Sequence, residues 1–161
     1  MLLLTGEFNL TIDEKNRMSI PVKLREQICQ EENGSGFYLT PGVNRIINLY
    51  PDKYYQRIAL AVAPRKVAPD ESLVFDRINY ALAGRVELDR QGRVLLPEQA
   101  MRRAGLKEQV TLIGVRDHLE VWDRQQWESY LNDHIANHEK MLLQARREAM
   151  EQLQSTMNDQ Q

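Results

Sequence analysis

The sequence has few of the features that mark secreted, membrane or disulfide-bonded proteins. Among its 161 residues Cys29 is the one cysteine, so no intrachain disulfide can form and a reducing compartment is expected. No apolar run approaches the roughly 20 residues that span a membrane, and the apolar start at residues 1–5 is too short for a signal peptide. These absences predict a cytoplasmic protein with no membrane attachment.

An excess of basic residues is also lacking. The net charge is −2 and the isoelectric point is about 6.0, which excludes a strongly basic nucleic-acid-binding domain but not a local basic patch. Residues 85–107 hold six lysine or arginine side chains against three acidic ones. The charge therefore has to be interpreted segment by segment.

Catalytic and metal-binding patterns are scarce as well. No glycine-rich phosphate loop, nucleophile elbow or paired-acid pattern is visible, and there are three histidines. His134 and His138 are four residues apart, a spacing that can hold a metal on a helix, but the glutamate of a zinc-protease motif is missing. The sequence predicts no enzyme, no metal site, no cofactor and no small-molecule substrate.

What the chain does contain is an internal repeat. The first copy reads DEKNRMSIP over residues 13–21, and the second reads DRQGRVLLP over residues 89–97. Downstream the match resumes at a shorter offset, with Gly42 aligned to Gly114. The first copy therefore carries four extra residues, which we place in the turn-rich segment 31–36.

Each copy predicts the same order of elements. Alternating apolar residues indicate a strand, a three-residue turn and a second strand, after which Pro21 or Pro97 opens a short helix, two more strands follow and a helix closes the copy. Asn16 and Gly92 occupy the turn position that requires a positive φ. The predicted short helices are Pro21 to about Gln30, and Pro97 to Ala104 with Gly105 as a stop.

The predicted fold class is α+β, with two tandem β-rich domains, short helices and a long C-terminal helix. The predicted boundaries are 1–57 for the first domain, 58–83 for a connecting helical segment, 84–130 for the second domain and 131–161 for the tail. Within the connecting segment, the helix is predicted to start at Ala68-Pro69-Asp70. The tail has a heptad-like seam, typical of an interaction helix, at Leu131, Ile135, His138, Leu142, Ala145 and Ala149. Its polar end, residues 158–161, is expected to fray.

The motif with the clearest functional potential is Asp-x-x-x-Arg, which occurs once in each copy. In one interpretation Asp13 and Arg17, like Asp89 and Arg93, only close the turn through an ion pair. In the other, each aspartate positions an arginine that reads guanine in the major groove. Lys15 and Arg90, beside the two arginines, would then contact phosphates. Spacing alone does not decide between these interpretations, and they are compatible.

The chain resembles the MraZ family over roughly residues 1–131. The resemblance rests on Gly6-Glu7-Phe8, both nine-residue motifs, Leu24-Arg25-Glu26-Gln27, Leu49-Tyr50-Pro51, Ala104-Gly105-Leu106, Val121-Trp122-Asp123 and Trp127. It implies two AbrB-like domains of the swapped-hairpin type, and a bacterial transcription factor that represses the division and cell-wall gene cluster, including its own promoter. It also implies a ring-like homo-oligomer on the nucleoid that reads short repeated G-containing elements of double-stranded DNA through Arg17 and Arg93.

Two further interpretations stay open. The AbrB-like superfamily includes antitoxins with a toxin partner, although those usually have one domain and a disordered tail. A pure assembly module, with the tail as its coiled coil, is the other alternative. This chain also departs from the family pattern, because Asn16 stands where glycine is common and the tail beyond about residue 135 is long.

Overall fold

We describe the fold from a computed structural model, which covers residues 1–62 and 70–158. The predicted start of the connecting helix at Ala68-Pro69 and the predicted fraying of residues 159–161 lie outside the described residues. The chain divides into two compact units, Met1–Arg124 and Gln125–Gln161.

The first unit contains the strands and the short helices. Its strands are β1 (Glu7–Thr11), β2 (Arg17–Ser19), β3 (Gly36–Pro41), β4 (Ile47–Pro51), β5 (Gly84–Glu87), β6 (Arg93–Leu95), β7 (Gln109–Val115) and β8 (His118–Asp123). The helices of the chain are α1 (Val22–Glu26), α2 (Gln30–Asn33), α3 (Asp52–Ala61), α4 (Asp70–Ala81), α5 (Glu98–Arg103) and α6 (Arg124–Asn158), with a 3-10 turn at Val43–Arg45. The α+β prediction, with short helices and a long C-terminal helix, is confirmed.

The two sequence copies share one antiparallel sheet and exchange strands within it. The strand order is β1-β7-β8-β4-β3-β5, so β1 of the first copy pairs with β7 of the second, and β5 of the second pairs with β3 of the first. The two copies meet where β4 pairs with β8. The boundaries at residues 57, 83 and 130 thus describe sequence copies rather than the compact units, and they stay a prediction at that level.

A local two-fold symmetry relates the two copies. In the β4–β8 ladder Asn48 pairs with Glu120, which is its own counterpart when the copies are aligned on their shared glycine. In a separate two-stranded ribbon β2 pairs with β6, and there Met18 faces its counterpart Val94. Each pairing of a residue with its own counterpart marks a point on the pseudo-two-fold axis. The duplication in sequence has therefore become a symmetric arrangement inside one chain.

The hydrophobic core joins the large sheet to the ribbon. Met18 and Val94 from the ribbon are completely buried, as are Leu49 and Leu119 from the centre of the sheet, and all four belong to one cluster. Because burying such a side chain stabilises a fold by about 1.5–3 kcal/mol, the shared cluster holds the two copies together. Neither copy could cover its half of this core alone.

The short helices begin as the prolines predict but are shorter than expected. Pro21 and Pro97 take the N-cap position rather than the first helical position, so α1 and α5 each begin one residue later than predicted. The continuous helix predicted from Pro21 to Gln30 is wrong, because the chain breaks between α1 and α2. The break directs Ile28 into the core, where it is 9% exposed. Gly105 has a φ of 62° and ends the helical segment that contains α5, as predicted.

The second unit consists of the remainder of α6 and runs through the described residues to Asn158. The predicted seam lies on this helix, with Ile135 and Leu142 57% and 43% exposed. None of the helices in the described ranges is both long and apolar enough to cross a membrane.

Candidate nucleic-acid interface

The ribbon formed by β2 and β6 brings the two sequence motifs together. Arg17 pairs with Leu95, and Ser19 pairs with Arg93, on either side of the central pair. Since successive side chains of a strand point to opposite faces, these four residues share the face opposite the buried Met18 and Val94. Diagonal neighbours in such a ladder lie about 7–8 Å apart, which sets the backbone spacing of the two arginines. Arg17 and Arg93 thus form a pair on one outer face.

In the first turn, Asp13 makes three contacts through its carboxylate. The Oδ1 atom accepts the backbone N–H groups of Lys15 and Arg17, each at 2.9 Å. The Oδ2 atom accepts the Nε–H group of Arg17 at 2.7 Å. The backbone N–H of Arg17, followed by its side chain and the N–H of Lys15, holds the pKa of Asp13 below its ordinary value. The aspartate therefore closes the turn and fixes the guanidinium with the same charged group.

The second turn repeats this geometry. Asp89 Oδ1 accepts the N–H groups of Gln91 at 2.9 Å and Arg93 at 3.0 Å, and Oδ2 accepts Arg93 Nε–H at 2.8 Å. The pKa of Asp89 is lowered, chiefly by the backbone N–H of Arg93. One geometry thus serves both turn closure and arginine positioning, because they use different oxygens of one carboxylate. Guanine reading by the positioned arginines stays a prediction.

Each arginine keeps its two terminal nitrogens for other partners. The ion pair uses Nε, while within residues 1–62 and 70–158 no hydrogen bond engages the Nη atoms of Arg17 or Arg93. Their side chains are 31% and 25% exposed. A guanidinium anchored at Nε still offers a planar fork that can donate two parallel hydrogen bonds to a pair of acceptors.

The turns are also braced by each other. Leu96 N–H donates to the carbonyl of Asn16 at 2.8 Å, and Ile20 N–H donates to the carbonyl of Gly92 at 2.9 Å. Asn16 and Gly92 have φ values of 61° and 75°, which confirms the prediction of a positive φ at both positions. Each copy thus fixes the turn of the other, and the outer face of the ribbon is formed jointly.

The other predicted cations do not all gather here. Lys15 and Arg90 are exposed within the two turns, next to the paired arginines. Arg85, by contrast, is engaged by Asp52 at 2.8 Å and by Glu87 at 2.6 Å. Arg25 lies against the second turn, where its Nε donates to the carbonyl of Ile20 at 3.1 Å. The basic side chains of residues 85–107 therefore do not form a single patch at the ribbon.

A scan against protein families gives one match, in two parts. The matching family is described as "MraZ protein, putative antitoxin-like", and it covers residues 3–74 and 80–147. The two matched parts correspond to the two sequence copies. The chain belongs to the MraZ family.

Curated relatives support this membership. A transcriptional regulator MraZ from Finegoldia magna is 30% identical over 136 residues, covering 84% of this chain and 92% of that protein. Those from Thermomicrobium roseum and Acetivibrio thermocellus are 36% and 34% identical, covering 76% and 80% of this chain and 82% and 86% of those proteins. These relatives are transcriptional regulators, which confirms the prediction that the chain is not an enzyme.

Two residues on the outer face of the ribbon, Ser19 and Leu95, were not predicted from the sequence as candidate site residues. Ser19 is exposed and Leu95 is 59% exposed, and both lie between the two arginines on the outer face. The alternation that identifies Met18 as buried also places its neighbours outward, so this signal was present in the sequence. The pairing of β2 with β6 was not, since nothing in either motif names its partner strand.

No group of three or more potential metal-binding side chains occurs in the part of the chain that the structure describes. The ring of His134 packs against Tyr130, with 4.3 Å between the ring centroids.

Proposed function

We propose that this chain is a sequence-specific DNA-binding transcriptional regulator that reads guanine with Arg17 and Arg93. One observation supports this proposal above the others. Two guanidinium groups lie on one exposed ribbon face, each anchored through Nε by an aspartate and each with its terminal nitrogens available.

The ribbon has the size and chemistry that a major groove accepts. The groove is about 12 Å wide and admits a two-stranded ribbon, and the O6 and N7 acceptors of guanine match an arginine fork. A spacing of about 7–8 Å between the arginine backbones corresponds to roughly two base-pair steps. The pair would therefore read two closely spaced guanines.

The turns supply cations for the DNA backbone. Lys15 lies beside Arg17, and Arg90 lies in the second turn, where both side chains are exposed to solvent. Phosphate contacts of this kind fix the register of a protein on DNA and make binding sensitive to salt. The second turn, with Arg90 and Arg93 against Asp89, is the more positive of the two.

The biological target follows from the MraZ resemblance. We propose repression of the division and cell-wall gene cluster, including the protein's own promoter, by a ring-like homo-oligomer that associates with the nucleoid in the cytoplasm. Several linked ribbons bind repeated elements far more tightly than one ribbon, because each further contact is intramolecular. The antitoxin alternative rests on the AbrB-like resemblance and on the words "antitoxin-like" in the family description, and we do not propose it.

The test is DNA binding by the double variant Arg17→Ala/Arg93→Ala. The probe is a labelled duplex from immediately upstream of the protein's own gene, and affinity is measured by fluorescence anisotropy. Each arginine–guanine contact gives about 1–3 kcal/mol of discrimination, so we expect a loss of at least about fivefold per arginine. The exposed Arg77 on α4 provides a control for each single arginine substitution, since Arg77→Ala removes one positive charge from another element.

A footprint on the same DNA at two salt concentrations tests the remainder of the proposal. Protected segments should be repeated and contain guanine, and protection should weaken steeply at the higher salt concentration. Binding of the double variant with wild-type affinity would show that the ribbon does not read DNA.

A further inference from the structure

A cavity of about 510 Å³ lies in the unit Met1–Arg124, between the end of α5 and the turn that joins β3 to β4. Its volume is in the range of small-molecule sites, about 300–1,000 Å³. Pro41, Leu82 and Ala100 contribute to its apolar lining, and Arg45, Arg102 and Arg103 contribute its charges. None of the residues proposed to contact DNA lines it.

The charge of this cavity has one sign. Its lining among the described residues includes three arginines and no acidic side chain. Arg103 Nη2 contacts only a neutral acceptor, Gln99 Oε1 at 3.4 Å, and Arg45 has no ion pair within residues 1–62 and 70–158. Arg102 pairs with Glu98 at 2.9 Å, but both side chains are 74% exposed, so a ligand can compete for that arginine. The cavity therefore favours an anion.

The matching place in the other half of the sheet is filled by the N-terminal segment of the chain. Leu4, which is fully buried, exchanges two backbone hydrogen bonds with Arg116 at 2.7 and 3.0 Å. Gln27, the counterpart of Arg103 in the repeat, accepts the N–H of Thr5 at 2.9 Å. An extended peptide is thus the occupant there.

A peptide strand cannot bind in the same way at the cavity. Gly114 N–H donates to the carbonyl of Gly6 at 2.9 Å, whereas its ladder counterpart Pro41 has no N–H to donate. Strand β5 also stops short of this place, because it begins at Gly84 and the preceding Leu82 lines the cavity without extending the ladder. An occupant of this cavity must therefore be recognised by side chains rather than by a backbone ladder.

We propose that this cavity binds a small amphipathic organic anion. The phosphate, sulfonate or carboxylate head lies on Arg45 and Arg103, and the apolar body packs on Pro41, Leu82 and Ala100, which are at least partly exposed. Guanidinium groups give strong charge-assisted hydrogen bonds to such heads, and the apolar lining gains from the removal of water. Head and body are both required for tight binding.

The first experiment uses the full-length protein and separates the contribution of the ligand's charged head from that of its apolar body. Displacement of the fluorescent probe anilinonaphthalene sulfonate is titrated with hexyl phosphate, inorganic phosphate and hexanol. We expect hexyl phosphate to displace the probe at a concentration at least about tenfold below that of either fragment compound. Equal displacement by hexanol or by inorganic phosphate would overturn the proposal.

The second experiment locates the site. Arg45→Gln/Arg103→Gln should weaken hexyl phosphate binding about tenfold and leave hexanol unchanged, because the lost contacts are charged. Arg147→Gln on α6 removes an equivalent exposed charge elsewhere and should bind like the wild type. Unchanged binding of hexyl phosphate by the double variant would assign the ligand to another place and refute this one.

Two further outcomes are decisive. Arg17→Ala/Arg93→Ala should bind hexyl phosphate normally, so that failure of DNA reading and failure of this proposal are distinguishable. Loss of hexyl phosphate binding in that variant would assign the anion to the ribbon and overturn the proposal. If the wild-type assembly binds no probe while Arg45→Gln/Arg103→Gln dissociates it by light scattering, the cavity is a subunit contact and the proposal also fails.

Discussion

The guanidinium of Arg17 is held at Nε, and its two Nη atoms make no hydrogen bond within the described part of the chain. A free arginine side chain loses about 2 kcal/mol of rotamer entropy when it is fixed, so an arginine already fixed by Asp13 binds a partner at a lower entropic cost. The lowered pKa of Asp13, caused first by the backbone N–H of Arg17, keeps that carboxylate charged to a more acidic pH than an ordinary aspartate. The same reasoning applies to Asp89 and Arg93. The carboxylates are therefore positioning residues for the proposed contact.

Replacing Asp13 or Asp89 by asparagine should lower DNA specificity more than DNA affinity. An asparagine can still accept the turn N–H groups, but its amide nitrogen cannot accept the arginine Nε–H. Loss of a negative charge strengthens binding to any phosphate backbone. We expect the ratio of specific to non-specific affinity to fall about fivefold for each substitution, measured on matched duplexes with and without the guanine elements.

The control is Glu14→Gln, which removes a neighbouring negative charge that makes none of these contacts in the described part of the chain. Its effect on specific and non-specific binding should be equal, leaving the ratio unchanged. A ratio that stays constant in Asp13→Asn as well would show that the aspartate only closes the turn.

At the scale of elements, the two turns differ in how they achieve the same conformation. Both use a positive φ, but one uses Asn16 and the other Gly92. A Cβ added to Gly92 would lie 2.8 Å from Cζ of Arg25, the residue that also donates to the carbonyl of Ile20. The second turn is therefore both conformationally and sterically restricted.

Gly92→Ala should destabilise the fold more than Asn16→Ala. A left-handed conformation costs an alanine about 1–2 kcal/mol, and asparagine tolerates it better than other non-glycine residues. The glycine substitution adds the contact with Arg25. Urea unfolding should show a loss of about 1–2 kcal/mol for Gly92→Ala and a smaller loss for Asn16→Ala.

An Arg25→Ala background tests the steric part of that difference. In that background the losses in the free energy of unfolding caused by Gly92→Ala and Asn16→Ala should differ less, because the guanidinium that a new Cβ would meet is gone. Equal losses for both substitutions in the wild-type background would argue against the asymmetry of the turns.

Much of the element order could be predicted from the sequence, because alternation and turn residues act locally. Met18 in β2 and Ile20 just after it mark the inner face, and Pro21 marks the start of a helix. The pairing of strands could not be predicted. Strands β1 and β2 flank the same turn, yet β1 pairs with β7 and β2 pairs with β6. Register between copies depends on packing of the shared core, which no local pattern contains.

The repeat alignment illustrates this limit. Alignment on Gly42 and Gly114 implies one constant offset through this part of both copies, which would match Leu39 to Thr111. The ladders keep that offset for β4 and β8 but match Leu39 to Leu112 instead. Five residues separate the paired Pro41 and Ile47, whereas four separate the paired Gly114 and Leu119, so the structure makes Pro41 the counterpart of Gly114. That shift also places a proline at the open cavity. For the site, the arginines were predictable, but their shared face was not.

At the scale of the whole molecule, the long helix α6 is the part least explained by the ribbon and the sheet. The family match ends at residue 147, within α6, while the helix continues to Asn158. The seam through Ile135 and Leu142 has the spacing of a coiled coil. We therefore expect α6 to contribute to contacts between subunits.

The double variant Ile135→Asp/Leu142→Asp should lower the mass of the assembly. Charges on a coiled-coil seam oppose association, because they would have to lose their water. Light scattering gives the mass, and circular dichroism checks that the helix persists. Asn137→Asp adds a charge to the same helix off the seam and should leave the mass unchanged. An assembly of wild-type mass in the double variant would show that the seam does not hold the oligomer together.

The pseudo-two-fold axis between Met18 and Val94 has one more consequence. When a two-fold arrangement is built from identical chains, every mutation appears twice and the bound DNA must be read as a palindrome. Here a mutation changes one half alone, and the halves already differ, with Glu14 and Lys15 in one turn and Arg90 and Gln91 in the other. Under the proposed function, such a ribbon would distinguish the two orientations of an operator and would bind in one direction along the DNA.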